Sequence, residues 1–303
     1  MSSPRRIGLV VNPTSGKGSG RVLGGQTRAL LRSAGHQVVN LSGESAAEAL
    51  ERCHGAVASG LDTLVVVGGD GMVHLGANAV AGTTTALAVV PAGTGNDNAR
   101  SLGLPVLDAR AAAAIIDTGH RRAIDAAREV RPGEPDRWFV GVLCGGFDAV
   151  VNERANRWTW PRGRMRYNLA IARELPVFRP LPYQLELDGE VWATEAMLVA
   201  VGNGPAYGGG MKITPDASYD DGLLDVLVVG RLSVPRLLAV FPKVFSGKHV
   251  THPAVTIKRA RRVRLSTPGV VAYADGERFG PLPVEVEVVP GALEVLVPAP
   301  HAR

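Results

Sequence analysis

Apolar and polar positions alternate in blocks along the first 128 residues, and these blocks predict strands and helices in turn. Four short apolar runs are typical of buried strands: Ile7–Val11, Gln37–Leu41, Thr63–Val67 and Ala86–Val90. Four segments with apolar residues at helical spacing follow these runs: Gly20–Ala34, Ser45–Ala58, Gly71–Ala81 and Asp108–Gly119. The alternation predicts an α/β fold with a parallel sheet and helices on both of its faces.

The pattern changes after a polar stretch rich in proline and glycine, Arg131–Asp136, which we interpret as a linker. Beyond it strands predominate, many with the alternation of half-buried antiparallel strands: Trp138–Cys144, Tyr183–Leu187, Val191–Val201, Leu224–Val229, Ala254–Ile257, Arg261–Leu265, Val270–Ala274, Val284–Val289 and Leu293–Val297. Helices are predicted at Asp148–Trp158, Arg166–Leu175 and Val234–Phe245. We therefore expect an α/β domain over residues 1–130 and a mainly antiparallel β domain over residues 131–290.

The junction after the third strand carries the clearest signal for a ligand site. Gly68-Gly69-Asp70-Gly71 follows the apolar run directly. Glycine loops bring backbone amides close to phosphate oxygens, and ligands of open α/β sheets bind at this end of the strands. Asp70 adds a carboxylate where a nucleotide-bound Mg²⁺ would lie. Alone, the tetrapeptide could also be an ordinary turn between strand and helix.

Two more loops of the same kind end the first and fourth strands. They are Asn12–Gly20 and Pro91–Asn98, both rich in Gly, Ser, Thr and Asn. Three such loops at one sheet edge predict a nucleotide pocket. The Walker A pattern fails because Gly18 follows Lys17, and the dinucleotide G-x-G-x-x-G spacing is absent from the first loop.

The motifs NPTSGKGSG, GGDGMVH and PAGTGND, in this order, resemble the diacylglycerol kinase catalytic family, which includes bacterial soluble lipid kinases and sphingosine kinases. Later segments also match: Gly208–Gly210, Pro215–Ala217, Asp221–Val226 and Asp275–Glu277. The resemblance covers nearly the whole chain. Met72, His74 and Leu75 depart from the Thr, Asn and Glu usual in the family, so contacts of those side chains differ while backbone contacts do not.

The resemblance implies a fold and an activity. The α/β domain would be similar to those of NAD kinase and phosphofructokinase, the second domain would be a β-sandwich, and the active site would lie in the cleft between them. The last segment, residues 291–303, would return to the first domain. Family members use ATP and Mg²⁺ to phosphorylate a lipid hydroxyl, most directly converting diacylglycerol to phosphatidic acid.

Carried over to this sequence, the family's ATP contacts fall on fourteen positions: Asn12, Pro13, Thr14, Ser15, Gly16, Ser42, Gly68, Gly69, Asp70, Gly71, Met72, Val73, His74 and Thr94. Asp70 would organise Mg²⁺ and phosphate. Several of these residues have plain structural alternatives. Asn12-Pro13 could be only a turn, Thr94 only a helix cap, Ser42 a solvent-facing or capping serine, and His74 a surface or capping residue.

A general base is required because a lipid hydroxyl is a poor nucleophile until its proton can leave. The resemblance assigns this role to Glu277, and Asp275 would orient the base or bind water. We therefore expect Glu277, Asp70 and Asp275 to be the catalytic residues. The alternative is that Asp275-Gly276 only forms a hairpin turn.

A second Mg²⁺ site is implied at the segment that begins with Asp221. By resemblance, the Asp221 carboxylate and the backbone carbonyls of Ser218 and Leu223 would hold a structural ion, and oxygen ligands suit Mg²⁺. The alternative is an ordinary turn that opens the strand Leu224–Val229.

Membrane contact is predicted at Arg154–Tyr167, where cations and aromatic residues are mixed as at an anionic lipid surface. A solvated basic face over buried tryptophans is the alternative. The net charge of +5 favours anionic partners in general, but no nucleic-acid motif accompanies it.

We expect a cytoplasmic protein that contacts the membrane peripherally. No apolar run is long enough to cross a bilayer, no signal peptide precedes the first strand, and Cys53 and Cys144 are expected to be reduced core thiols. A homodimer is left open. The competing functions are a NAD kinase, a kinase of sphingosine-type or ceramide-type alcohols, and an inactive nucleotide-binding or lipid-binding regulator.

Overall fold

Two β-sheets organise the described part of the chain, a computed structural model that covers residues 3–158, 160, 169–170, 173–174 and 178–299. The first sheet has ten strands and begins in the N-terminal half. The second has six antiparallel strands and lies wholly in the C-terminal half. Among the described residues, no helix has the length and apolar character needed to cross a membrane.

The N-terminal half is a parallel sheet covered on both faces, as predicted. Its strands β1 to β4 pair in the order β2-β1-β3-β4. They are β1 (Arg6–Val11), β2 (Gln37–Asn40), β3 (Thr63–Gly68) and β4 (Ala86–Pro91). The helices are α1 (Ser19–Ser33), α2 (Ala46–Ala58), α3 (Asp70–Val80), α4 (Asp97–Ser101) and α5 (Ala109–Thr118).

Alternate side chains of the parallel strands pack into two separate cores, one on each face of the sheet. Leu64 and Val66 pack towards α2 and α3, whereas Val65 and Val67 pack towards α1 and α5. Both faces are apolar because helices cover both, and this explains why the strands read as continuous apolar runs.

The C-terminal half is a β-sandwich. The strands that it contributes are β5 (Arg121–Glu129), β6 (Trp138–Phe139), β7 (Val142–Gly146), β8 (Leu181–Leu187), β9 (Glu190–Ala196), β10 (Leu198–Gly202), β11 (Leu224–Val229), β12 (Val255–Ala260), β13 (Arg262–Ser266), β14 (Val271–Ala274), β15 (Glu277–Pro281) and β16 (Val284–Leu296). Among the described residues they are accompanied by the helices α6 (Phe147–Arg157) and α7 (Val234–Val240). The second sheet has the order β12-β11-β10-β7-β14-β15, and one apolar core fills the space between it and β8, β13 and β16.

Two predicted strands are each divided in the structure. Trp138–Cys144 divides into β6 and β7, and Val191–Val201 divides at Met197 into β9 and β10. In both cases the chain passes from one sheet to the other, which periodicity alone does not reveal. β5 and β15 were not predicted. The predicted helix Arg166–Leu175 lies largely outside the described residues.

The strand β16 joins the two halves. Val295 pairs with Leu87 of β4 in parallel, while Val284 pairs with Leu265 of β13 in antiparallel fashion. The first sheet is therefore continuous from the parallel strands that carry the glycine-containing loops to the strands of the sandwich. The domain limits at residues 130 and 290 stay a prediction.

Candidate active site

The three glycine-containing loops meet at the carboxyl ends of the parallel strands. A Cβ on Gly93 would lie 2.5 Å from the Gly69 Cα atom, and a Cβ on Gly16 would overlap the carbonyl oxygen of Ala92. The Asn96 side chain accepts a hydrogen bond from the Gly93 amide at 2.9 Å. Only glycine permits these approaches of backbone to backbone.

A cleft of about 900 Å³ opens above the loops, between the two halves of the chain. Of the predicted site residues, eleven line it: Asn12, Thr14, Ser15, Gly16, Gly69, Asp70, Gly71, Met72, His74, Thr94 and Glu277. The first turn of α3 also faces this cleft. The amides of a first helical turn have no intrahelical acceptor, which makes such a turn suitable for phosphate.

Four predicted ATP contacts do not line this cleft, for identifiable reasons. Ser42 accepts a hydrogen bond from the Val11 amide at 3.0 Å, so its hydroxyl is engaged with β1. Gly68 is buried at the end of β3, and Val73 is buried in the core beneath α3. Pro13 is exposed beside the first loop.

A second cavity of about 590 Å³ adjoins the cleft. The two share Asp70, Thr94 and Gly95 as lining residues. The second cavity is bounded on its other sides by Asp97, Asp275 and the glycine loop at residues 208–209. Asp70 therefore lies where the two spaces meet.

Asp275 is buried and fully hydrogen-bonded. Its carboxylate accepts bonds from the Val140 amide at 3.0 Å and the Gly141 amide at 2.7 Å, and His74 Nδ1 lies 3.2 Å away. The predicted hairpin is also present, because Ala274 of β14 pairs with Glu277 of β15. Asp275 thus anchors the turn from which Glu277 projects.

Glu277 reaches the GGDG loop of the nucleotide half. Its carboxylate lies over α3, so that a Cβ on Gly71 would be 2.9 Å from Glu277 Oε1. An acidic group from the distant end of the chain and the GGDG loop are therefore brought together.

The Asp70 carboxylate lies among other acids. Burial, and to a lesser degree the neighbouring carboxylates of Asp97 and Asp275, raise the pKa of Asp70, while the Asn98 amide opposes the shift by donating a hydrogen bond at 3.1 Å. A cation at this position would relieve the crowding of negative charge.

Sequence reasoning missed Asp97 and Asn98, although both lie in or beside the quoted PAGTGND motif, from which only Thr94 was selected. Asp97 is buried; its Oδ2 atom accepts a bond from the Gly209 amide at 2.6 Å, and its Oδ1 atom has no hydrogen-bond partner among the described residues. Asn98 accepts a hydrogen bond from the Tyr219 hydroxyl at 3.0 Å. An acidic residue beside a predicted phosphate loop was the available signal.

The predicted second metal site has a competing partner. The Asp221 carboxylate contacts the Arg259 guanidinium and accepts a bond from the Leu223 amide at 3.1 Å, while the Ser218 hydroxyl donates to Asp220. An ion at Asp221 would compete with Arg259 for the carboxylate. A structural Mg²⁺ here stays a prediction, and within the described ranges no cluster of three or more His, Cys, Asp or Glu residues could hold a metal.

The basic and aromatic segment is described only in part, because residues 159 and 161–167 lie outside the described residues. Of those described, Arg154 pairs with Glu174, and Trp158 packs against Val151 and Ala170. Trp160 is exposed. Membrane contact by this segment stays a prediction.

Comparisons with known proteins agree with this geometry. The diacylglycerol kinase catalytic domain matches residues 6–128, and the YegS C-terminal NAD kinase beta sandwich-like domain matches residues 141–297. A diacylglycerol kinase from Mycobacterium tuberculosis is 42% identical over 294 residues, covering 97% of this chain and 95% of that protein. One from Bacillus subtilis is 26% identical over 303 residues, covering 99% and 98% respectively.

The fold agrees as well. The crystal structure of a diacylglycerol kinase from Bacillus anthracis superposes with a TM-score of 0.76 at 26% identity, covering 98% of this chain and 99% of that one. The family resemblance and the predicted fold class are thereby confirmed. The chain belongs to the diacylglycerol kinase family.

Proposed function

We propose that this protein is an ATP- and Mg²⁺-dependent lipid kinase that converts diacylglycerol to phosphatidic acid at a membrane surface. The observation that carries the proposal is the position of Asp70 on the shared wall of two cavities, with Glu277 on one and Asp275 on the other. Such an arrangement suits a donor and an acceptor that must meet at one point.

The first cavity is suited to the triphosphate. It combines the first turn of α3 with the loops at Asn12–Gly16 and Gly93–Gly95, and its location at the carboxyl ends of parallel strands is that of nucleotide sites in open α/β sheets. Arg137 also lines this cleft and adds a cation from the second half of the chain.

The residues around Asp70 fit Mg²⁺. Asp70 and Asp97 offer only oxygen ligands, one of which, Asp97 Oδ1, is buried without a hydrogen-bond partner among the described residues. Bound there, Mg²⁺ would neutralise phosphate charge. Burial, and to a lesser degree the neighbouring carboxylates, raise the pKa of Asp70, and such an ion would compensate the charge of those carboxylates.

In the transfer step, the acceptor hydroxyl oxygen forms a bond to the γ-phosphorus, and the bond from that phosphorus to the bridging oxygen of ADP breaks. The hydroxyl proton passes to the Glu277 carboxylate. Asp275 takes no part in bond changes; it holds the hairpin turn beside Glu277 through the amides of Val140 and Gly141.

The proposal is tested by offering the protein ATP labelled in the γ-phosphate together with diacylglycerol, sphingosine, ceramide or NAD in detergent micelles. We expect label in phosphatidic acid. Label in NAD or in a sphingoid product would support the corresponding alternative kinase. ATP binding without transfer to any acceptor would support the inactive regulator and refute the proposal.

A further inference from the structure

The strand that carries Glu277 lies at the edge of its sheet. Within the described part of the chain, β15 pairs with β14 alone. The pairing is also irregular, because the register shifts between Ala272 and Tyr273 and leaves Phe279 opposite no residue. A bulge of this kind interrupts the ladder of hydrogen bonds and bends the strand. The backbone of β15 is therefore held weakly by its sheet, and contacts of side chains must contribute to its position.

Glu153 on α6 holds both strands of this hairpin with one carboxylate oxygen. Glu153 Oε1 accepts a hydrogen bond from the Tyr273 hydroxyl at 2.8 Å and another from Arg278 Nε at 3.0 Å. Tyr273 and Arg278 lie opposite each other on β14 and β15, and the next pair towards the turn is Ala274 with Glu277. Glu153 thus ties the two strands together one residue pair away from the proposed base.

The contact with Glu153 and the proposed base lie on opposite faces of β15. Successive residues of a strand point to opposite faces, so Arg278 is directed towards α6 while Glu277 lines the nucleotide cleft. Among the residues that the structure describes, none forms a hydrogen bond or an ion pair with the Glu277 carboxylate. The direction of Glu277 is consequently set by its backbone, which moves together with that of Arg278.

The contact is stronger than an ordinary ion pair at the surface. Tyr273 is only 3% exposed, and its buried hydroxyl donates to a charged acceptor, which makes a stronger hydrogen bond than a neutral one would. The hydrogen bond from Tyr273, followed by the hydrogen bond and charge of Arg278, lowers the pKa of Glu153 against the effect of burial. Glu153 is therefore ionised at neutral pH and attracts both donors.

We propose that Glu153 is a positioning residue for phosphoryl transfer, which fixes the strand from which Glu277 reaches the cleft. Glu153 lines neither the nucleotide cleft nor the second cavity, so it acts through Tyr273 and Arg278. This inference rests on the proposed function for the role of Glu277 as proton acceptor. It adds a residue of α6 to the parts on which the transfer depends.

Steady-state kinetics test the consequence for transfer. We expect kcat of Glu153→Ala to fall by about 10–10²-fold, because a small misplacement of a reacting group is costly, with the KM for ATP nearly unchanged. Glu153→Gln keeps an oxygen that both donors can reach and should retain most of the rate. The matched control is Glu287→Ala on β16. Glu287 also accepts hydrogen bonds from Arg128 and Arg262, and its side chain is 23% exposed against 27% for Glu153. The control should leave kcat unchanged.

A double-mutant cycle shows whether the effect passes through the hairpin. Tyr273→Phe keeps the ring and removes one of the two donors, so it should lower kcat by itself. In the Glu153→Ala background the same substitution should have almost no further effect, because the bond is already absent. Tyr273→Phe also serves as the second variant if Glu153→Ala does not fold. Additive losses in the cycle would overturn the inference.

Hydrogen exchange measures the position of the hairpin without turnover. Amides of residues 271–281 should exchange about threefold faster or more in Glu153→Ala, whereas those of β3 should not change. Glu287→Ala should leave the hairpin unaffected. Unchanged exchange over residues 271–281 would overturn the inference whatever the kinetics show.

The combined results separate this inference from the proposed function. A normal kcat in folded Glu153→Ala, with Glu277→Gln inactive, would refute the role of Glu153 and leave the proposed function intact. An equal loss of kcat in Glu287→Ala would reduce Glu153 to a general structural role and also refute it. If the wild type transfers no phosphate, the proposed function fails, and hydrogen exchange still decides whether Glu153 fixes the hairpin.

Discussion

His74 Nδ1 lies 3.2 Å from Asp275 Oδ2, although the two residues are 201 positions apart in the chain. The contact links α3 of the nucleotide half to the hairpin that carries Glu277. It also gives a role to a residue that departs from the family's usual asparagine, because either side chain can donate a hydrogen bond to the buried carboxylate.

His74→Ala should therefore lower stability by about 1–2 kcal/mol, since Asp275 loses a hydrogen-bonding partner, while His74→Asn should lose less. Urea unfolding measures the free energy, and turnover should follow the same order. His54→Ala, at another histidine that lines the cleft, is the control. An asparagine variant as impaired as the alanine variant would contradict this role.

Glu277→Gln removes the proposed proton acceptor and keeps the shape of the side chain. We expect kcat to fall by about 10²–10⁴ with little change in ATP affinity, the usual contribution of a positioned base. Steady-state kinetics and ATP titration make the comparison, with the exposed Glu190→Gln as control. Turnover close to wild type would remove Glu277 from the role.

Gly93→Ala should separate the loop at Pro91–Asn98 from the GGDG loop. The new Cβ would lie 2.5 Å from Gly69 Cα and 3.0 Å from Gly69 N, backbone atoms that have little freedom to move, and 2.9 Å from Asn96 Oδ1. We expect a loss of about 1–3 kcal/mol in stability and weaker ATP binding. Gly25→Ala in α1, whose Cβ would meet nothing within 4 Å, should instead gain about 0.5–1 kcal/mol.

Asp70→Asn should abolish turnover and yet stabilise the protein at neutral pH. Because the pKa of Asp70 is raised on folding, the folded state holds its proton at pH values where the unfolded chain has released it, so stability falls as pH rises through this range. The higher Tm of the variant should shrink as pH falls below the pKa of folded Asp70 and vanish near the pKa of the carboxyl in the unfolded chain. A pH-independent effect of Asp70→Asn would refute the argument.

Arg259→Ala tests the second metal site. Mg²⁺ at Asp221 would compete with the Arg259 guanidinium. Removing the guanidinium should therefore make the rise in Tm on adding Mg²⁺ larger in the variant than in the wild type, at matched ionic strength. Adding Asp221→Asn should cancel that increase. The same Mg²⁺ response with and without Arg259 would argue against an ion at this position.

Local patterns were sufficient for the parallel sheet and its loops. The run Leu64–Val67 predicts a strand covered on both faces, and Ser45 caps α2 by accepting a bond from the Glu48 amide. Patterns were insufficient where the partner was distant. The break at Met197 follows from a change of sheet, and β5, which carries several charges, is held chiefly by β16.

In the candidate site, too, the features set by local sequence could be predicted and those set by distant contacts could not. Sequence motifs pointed to the loops and to Glu277, because spaced glycines and an acidic residue after Asp275-Gly276 can be recognised in the sequence alone. Nothing local identified the contact of His74 with Asp275, the burial of Asp97 or the engagement of Ser42 with Val11. Each depends on which distant segment the fold brings alongside.

Because β16 is hydrogen-bonded to both β4 and β13, a hinge between the halves would have to break a continuous ladder. The two cavities proposed for donor and acceptor are thus fixed to a common frame. Exchange of ligands would then depend on local movements of loops, and the proposed alignment for transfer would exist before either ligand arrives.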